Sequence, residues 1–185
     1  MTSRDVAGAV SVLTATLENA NIEYAVSGAI ALAYWSAPRA TLDVDIALNV
    51  ATIALPSLFE ALQDAGCELN PDAANRAQFG DFGARLSGIR IDFFLPVLSI
   101  SLDAISRRVR VPFANQEMWI LAAEDLLVFK LIFGRTKDFA DIERLIAARR
   151  ELLNWKYLNG QLVNIFEPTD PRFERYEELR KLAMG

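Results

Sequence analysis

Apolar residues recur every three or four positions at Val6, Ala9, Val10, Leu13 and Leu17, a spacing that predicts an amphipathic helix over residues 5–19. Asn19-Ala20-Asn21 breaks the pattern, and the short apolar run from Ile22 to Val26 reads as a strand. That strand enters Ser27-Gly28. Beyond it, Ala29 to Trp35 has high helix propensity and stops at Ser36-Ala37-Pro38. From Thr41 to Leu48 the period drops to two, with Leu42, Val44 and Ile46 on one side and Thr41, Asp43 and Asp45 on the other. A strand with one acidic face is expected there.

Leu55 to Ala65 returns to helical spacing, while residues 66–88, interrupted by Gly66, Gly80, Gly83 and Gly88, read as irregular. Ile89 to Leu95 (IRIDFFL) is a second strand, carrying Ile89, Ile91 and Phe93 on one face and Arg90, Asp92 and Phe94 on the other. Shorter strands are expected at Arg107 to Phe113 and Met118 to Leu121. After that the pattern is helical, over residues 124–133, 138–150, about 155–166 and 172–182, with a break at Glu167-Pro168-Thr169-Asp170-Pro171. The pattern predicts an α+β fold: residues 1–121 as a core built on a small sheet, and residues 122–185 as a helical C-terminal region.

A chain of 185 residues can bury one well-packed domain, alone or with a helical appendage. With 52% hydrophobic and 23% charged residues it has a folded protein's composition. The net charge of -5 disfavours generic binding to duplex DNA, so nucleic-acid contact would need a local basic patch. Arg107-Arg108-Arg110 and Arg149-Arg150 are such clusters, although solvated strand and helix ends are the preferred reading of both. A single cysteine, Cys67, forms no internal disulfide and no thiolate metal site, which fits a reducing compartment. No secretory leader pattern and no membrane-length apolar run is present, and a cytoplasmic location is expected. The absence of histidine removes Ser-His-Asp and Cys-His catalysis as well as histidine metal ligands. The chemistry that is left uses carboxylates, lysine, hydroxyls or a carboxylate-bound hard metal.

Asp43 and Asp45, at i and i+2 on a strand, emerge on one face about 6–7 Å apart. An Asp-x-Asp alone reads as an exposed polar strand. Here it lies in an otherwise apolar strand, and Asp92 holds a like position in a second one, where an unpaired carboxylate is costly. Three carboxylates on neighbouring strands suit one or two hard cations such as Mg²⁺, or Mn²⁺ in its place. Ser27-Gly28 adds a strand-to-helix turn, where glycine admits close backbone approach and the helix N-terminus offers N–H groups to a phosphate.

The run SGAIALAYWSAPRATLDVDIAL, with Ser27-Gly28, Arg39, Thr41, Asp43 and Asp45, resembles the first motif of DNA polymerase β-superfamily nucleotidyltransferases, in particular the AbiEii-type toxin branch. The turn is Ser-Gly where that family carries Gly-Gly or Gly-Ser. The segments EDLLVFK (Glu124 to Lys130) and RTKDFADI (Arg135 to Ile142) resemble two segments found after the sheet in the same branch. The resemblance spans about residues 22 to 146. It implies a nucleotidyltransferase core in which Asp43, Asp45 and Asp92 bind Mg²⁺ and the Ser27-Gly28 turn, with Arg39 and Thr41, contacts a nucleoside triphosphate (NTP). It also implies that Lys130 reaches the triphosphate while Lys137, Asp138 and Asp141 support the site; a charged helix start explains Asp138 and Asp141 equally well. Transfer of a nucleoside monophosphate to an RNA, protein or small-molecule hydroxyl is then expected, and the toxin of a toxin-antitoxin pair, with a cognate antitoxin as partner, is one form the resemblance allows. The alternatives are a binding module for nucleotide or partner with the same fold and no turnover, and a carboxylate-lined hydrolase.

Overall fold

The computed structural model describes residues 5–184 and divides them into two compact units. One holds the chain up to Ile30 together with Ala40–Leu121; the other holds Ala31–Arg39 and the chain from Ala122 onward.

In the first unit, helix α1 (Val6–Asn19) is capped by Asp5, whose carboxylate accepts from the Gly8 amide at 2.8 Å. Its buried stripe is Ala9, Val10, Leu13, Thr14 and Leu17, the apolar spacing of the sequence plus one threonine. That threonine donates to the Val10 carbonyl at 2.9 Å, so its hydroxyl is satisfied inside the stripe. Seven strands follow in one mixed sheet: β1 (Glu23–Val26), β2 (Asp43–Asn49), β3 (Glu68–Leu69), β4 (Asp81–Leu86), β5 (Ile89–Phe94), β6 (Val109–Phe113) and β7 (Gln116–Ile120). Their spatial order is β3-β4-β5-β2-β1-β7-β6, with β2/β5 and β1/β7 parallel and the other neighbours antiparallel.

Val44, Ile46 and Leu48 on β2 and Ile89, Ile91 and Phe93 on β5 turn inward and are buried. Phe93 stacks on Phe82 of β4 at 4.7 Å, so it is a core ring. Helices α3 (Leu55–Asp64) and α5 (Ser99–Ser106) complete the unit, with Leu58 and Leu62 of α3 and Ile100, Ala104 and Ile105 of α5 buried.

Three expectations are corrected. Leu42 is not part of the apolar face: β2 starts at Asp43 and Leu42 is exposed. Residues 66–88 are not irregular, because they carry β3, a short helix α4 (Ala73–Ala77) and β4. Strand β4 escapes the periodicity test because both of its faces are covered at Phe82, Gly83 and Ala84 and because Gly83 reads as a breaker. It joins β5 by a two-residue turn in which Ser87 and Gly88 both take positive φ, 51° and 77°, the geometry that matches strand twist in tight hairpins. Helix α5 was not expected either; its serines and aspartate dilute the apolar signal of SISLDAIS.

The second unit contains α6 (Ala123–Phe133), α7 (Thr136–Arg149), α8 (Trp155–Ile165) and α9 (Pro171–Met184). Helix α2 (Gly28–Trp35) begins in the first unit and continues into the second. Gly134, left-handed at φ 61°, ends α6 as a C-cap, and Asn154 caps α8 by accepting from the Tyr157 amide at 3.0 Å. Asp125 is fully buried and accepts from the Tyr157 hydroxyl at 2.5 Å, which ties α8 to α6. Among the described residues no helix is long and apolar enough to cross a membrane.

Candidate active site

The parallel pairing of β2 with β5 sets the site. Its register places Asp43 beside Arg90 and Asp45 beside Asp92, while the intervening Val44 and Ile91 face the core. Because side chains alternate along a strand, these four polar residues share one face of the sheet. The carboxylates at 43, 45 and 92 are half-buried.

The turn between β1 and α2 adjoins the same strand. The Ser27 amide donates to the Asp45 carbonyl at 2.8 Å. Gly28 has φ +59°, and the carboxylate of Asp45 fills the space a side chain at position 28 would need. Both facts demand glycine, the first through the left-handed backbone and the second through close approach. Thr41 shapes the entry to β2: its hydroxyl and the backbone of Asp43 exchange bonds of 3.2 and 3.3 Å.

Arg90, which sequence reasoning placed on this face but assigned no role, holds Asp92. Its Nε and Nη2 donate to Asp92 Oδ1 at 3.1 and 3.0 Å. The Asp92 hydrogen bond, and more weakly the fields of Asp43 and Asp45, hold the guanidinium pKa above its ordinary value. The donor chemistry on this face fits a hard divalent ion, since carboxylate oxygens on neighbouring strands are what such ions take. Both carboxylate oxygens of Asp92 lie within 3.1 Å of the Arg90 guanidinium, and no three carboxylates among the described residues stand as a ligand cluster.

The remaining candidates are gathered in the helical unit. Lys130 is buried and its Nζ donates to Asp141 Oδ2 at 2.7 Å. Arg39 binds the same carboxylate from Nε and Nη2, both at 3.0 Å, and Arg144 donates at 3.2 Å. Burial raises the pKa of Asp141, but the hydrogen bonds and charges of Arg39 and Lys130 outweigh it and leave the group below its ordinary value. Asp138 is buried at the start of α7, accepting from the Arg135 amide at 3.2 Å and from its Nε at 2.6 Å, with Lys130 at 3.8 Å. Lys137 is exposed on the same helix.

The other features singled out in the sequence are engaged elsewhere. Arg108 pairs with Glu23 and Arg110 with Glu117, and both guanidinia lie over Trp119. Arg149 lies over Trp35 at 5.0 Å.

This arrangement of sheet and flanking helices is the nucleotidyltransferase fold, as comparison with solved structures shows. The chain is similar to the antibiotic-resistance factor ANT(2″)-Ia in complex with adenylyl-2″-tobramycin, with a TM-score of 0.59 and 11% identity over 96% of each chain. It is similar to an antigenic nucleotidyltransferase-like protein from Paracoccidioides brasiliensis, with a TM-score of 0.58, 18% identity, and coverage of 100% of this chain and 94% of the other. A lincomycin-bound lincosamide antibiotic adenylyltransferase, LnuA, matches with a TM-score of 0.52 and 11% identity over 74% of this chain and 93% of its own. Neither family models nor curated proteins give a match. At 11–18% identity the likeness is one of fold.

Proposed function

We propose that this chain is a divalent-metal-dependent nucleotidyltransferase that moves a nucleoside monophosphate from an NTP to an acceptor hydroxyl, with release of pyrophosphate. The observation that carries the reading is the shared face of β2 and β5, where Asp45 stands beside Asp92 and Asp43 is one pleat away, with the Gly28 turn closed onto Asp45. Asp43, Asp45 and Asp92 would hold Mg²⁺. When bound, the ion offsets phosphate charge and orients the α-phosphate. The turn at Ser27-Gly28 leaves the first amides of α2 for the phosphates. Asp92, on the strand beside the pair, would complete that set of carboxylates.

Acceptor classes to be tried are tRNA ends, protein hydroxyls and small hydroxylated molecules such as tobramycin and lincomycin. The AbiEii-like toxin role with a cognate antitoxin is the form of this function suggested by the motifs from Ser27 to Asp45 and from Arg135 to Ile142. Purified protein with labelled NTPs, Mg²⁺ and each acceptor in turn should show label transfer. The Asp43→Ala, Asp45→Ala double variant should lower it by more than a thousandfold. Equal transfer in the double variant removes the mechanism.

A second reading, a nucleotide- or partner-binding module without turnover, draws on Lys130. The lysine that the motif assigns to the triphosphate is buried and bound to Asp141. Nucleotide binding without transfer to any acceptor would favour it.

A further inference from the structure

The acidic face carries its own cation. Arg90 stands beside Asp43 in the parallel register and reaches along its own strand to Asp92, with Nε also 3.0 Å from Oδ2. On its other side, directly opposite in the antiparallel ladder, is Arg85, a like charge that disfavours any lean of Arg90 toward β4. Arg85 itself donates to the carbonyl of Gly88 in the hairpin turn. Both neighbours thus bias the Arg90 guanidinium toward the carboxylates.

We propose that Arg90 is a positioning residue for the metal site: it competes with the divalent ion for Asp92, and metal affinity is set by that exchange. The inference rests on the metal-dependent reading above. The Arg90 side chain is 60% exposed and that of Asp92 is 23% exposed, so the guanidinium can swing into solvent without leaving a buried charge unpaired. An exposed ion pair of this kind is weak, and a carboxylate-bound ion can displace it.

The test is direct titration of Mn²⁺ into the full chain, followed by the electron paramagnetic resonance signal of the free ion, with no substrate present. Arg90→Met should bind Mn²⁺ about two- to fivefold more tightly than the wild type, the range an exposed ion pair is worth. Arg90→Lys should fall between, since lysine keeps the charge and loses the two-point hold. Arg85→Met removes an equal charge from the same face without touching Asp92 and should change affinity by less than Arg90→Met. In an Asp92→Asn background the gain from Arg90→Met should vanish.

Wild-type binding that Arg90→Met leaves unchanged or weakens overturns the inference alone, as does an equal gain from Arg85→Met. Absence of Mn²⁺ binding by the wild type, or binding indifferent to Asp43→Asn with Asp45→Asn, overturns the metal-dependent reading and the inference with it.

Discussion

At the scale of the residue, the most constrained position is Gly28. Its left-handed backbone would cost an alanine about 1–2 kcal/mol, and the alanine methyl would also displace the Asp45 carboxylate. Gly28→Ala should therefore lose stability in urea unfolding and lose label transfer together. A loss no larger than that backbone cost would mean that Asp45 has another place to go. The Ser-Gly dipeptide itself was visible in the sequence, but its reason was not, because the side chain that excludes any other residue lies 17 positions on. Arg90 was likewise visible on the face of Asp92; its contact with that carboxylate depends on a rotamer, which periodicity does not carry.

At the scale of the element, α6 and α7 are joined by charge. Asp141 is buried and takes bonds from Lys130, Arg39 and Arg144, so removing its charge takes away the hydrogen-bonded partner of buried Lys130 and leaves it only the more distant Asp138 at 3.8 Å. Asp141→Asn should cost about 3–5 kcal/mol, the usual penalty for breaking a buried pair. Lys130→Met should cost less, because Arg39 and Arg144 still neutralise Asp141. Chemical denaturation of the two variants checks the order. The pH dependence follows from the lowered pKa of Asp141. Its contribution is complete above the unfolded value, near pH 4 for an aspartate, and is lost as pH falls through the lower folded value. The acid limb of the stability curve, from about pH 4 downward, should be shallower in Asp141→Asn than in the wild type.

Helices α1, α6, α7, α8 and α9 were legible from their three- and four-residue spacing, and β2 and β5 from strict alternation. Strand β4 was not, because burial on both faces removes the alternation that marks a strand.

At the scale of the whole molecule, binding should report on the carboxylates without any acceptor being known. If Mg²⁺ and an NTP bind only the folded chain, a concentration 100 times the dissociation constant adds about 2.7 kcal/mol. A rise in Tm that requires both components, and that disappears in Asp43→Asn with Asp45→Asn, is the expected result. A rise that persists in the variant would place the nucleotide elsewhere.

The sequence by itself determined the elements that repeat locally, the polar face of each site strand, and the exclusion of histidine chemistry, because these depend on residues two to four positions apart or on composition. The tertiary structure alone decided that β5 lies beside β2 with Asp92 level with Asp45, and that Arg39 meets Asp141 across 102 positions. Which segments pair, and in which register, depends on how buried side chains interlock and on the entropy of closing long loops. No local spacing records either quantity.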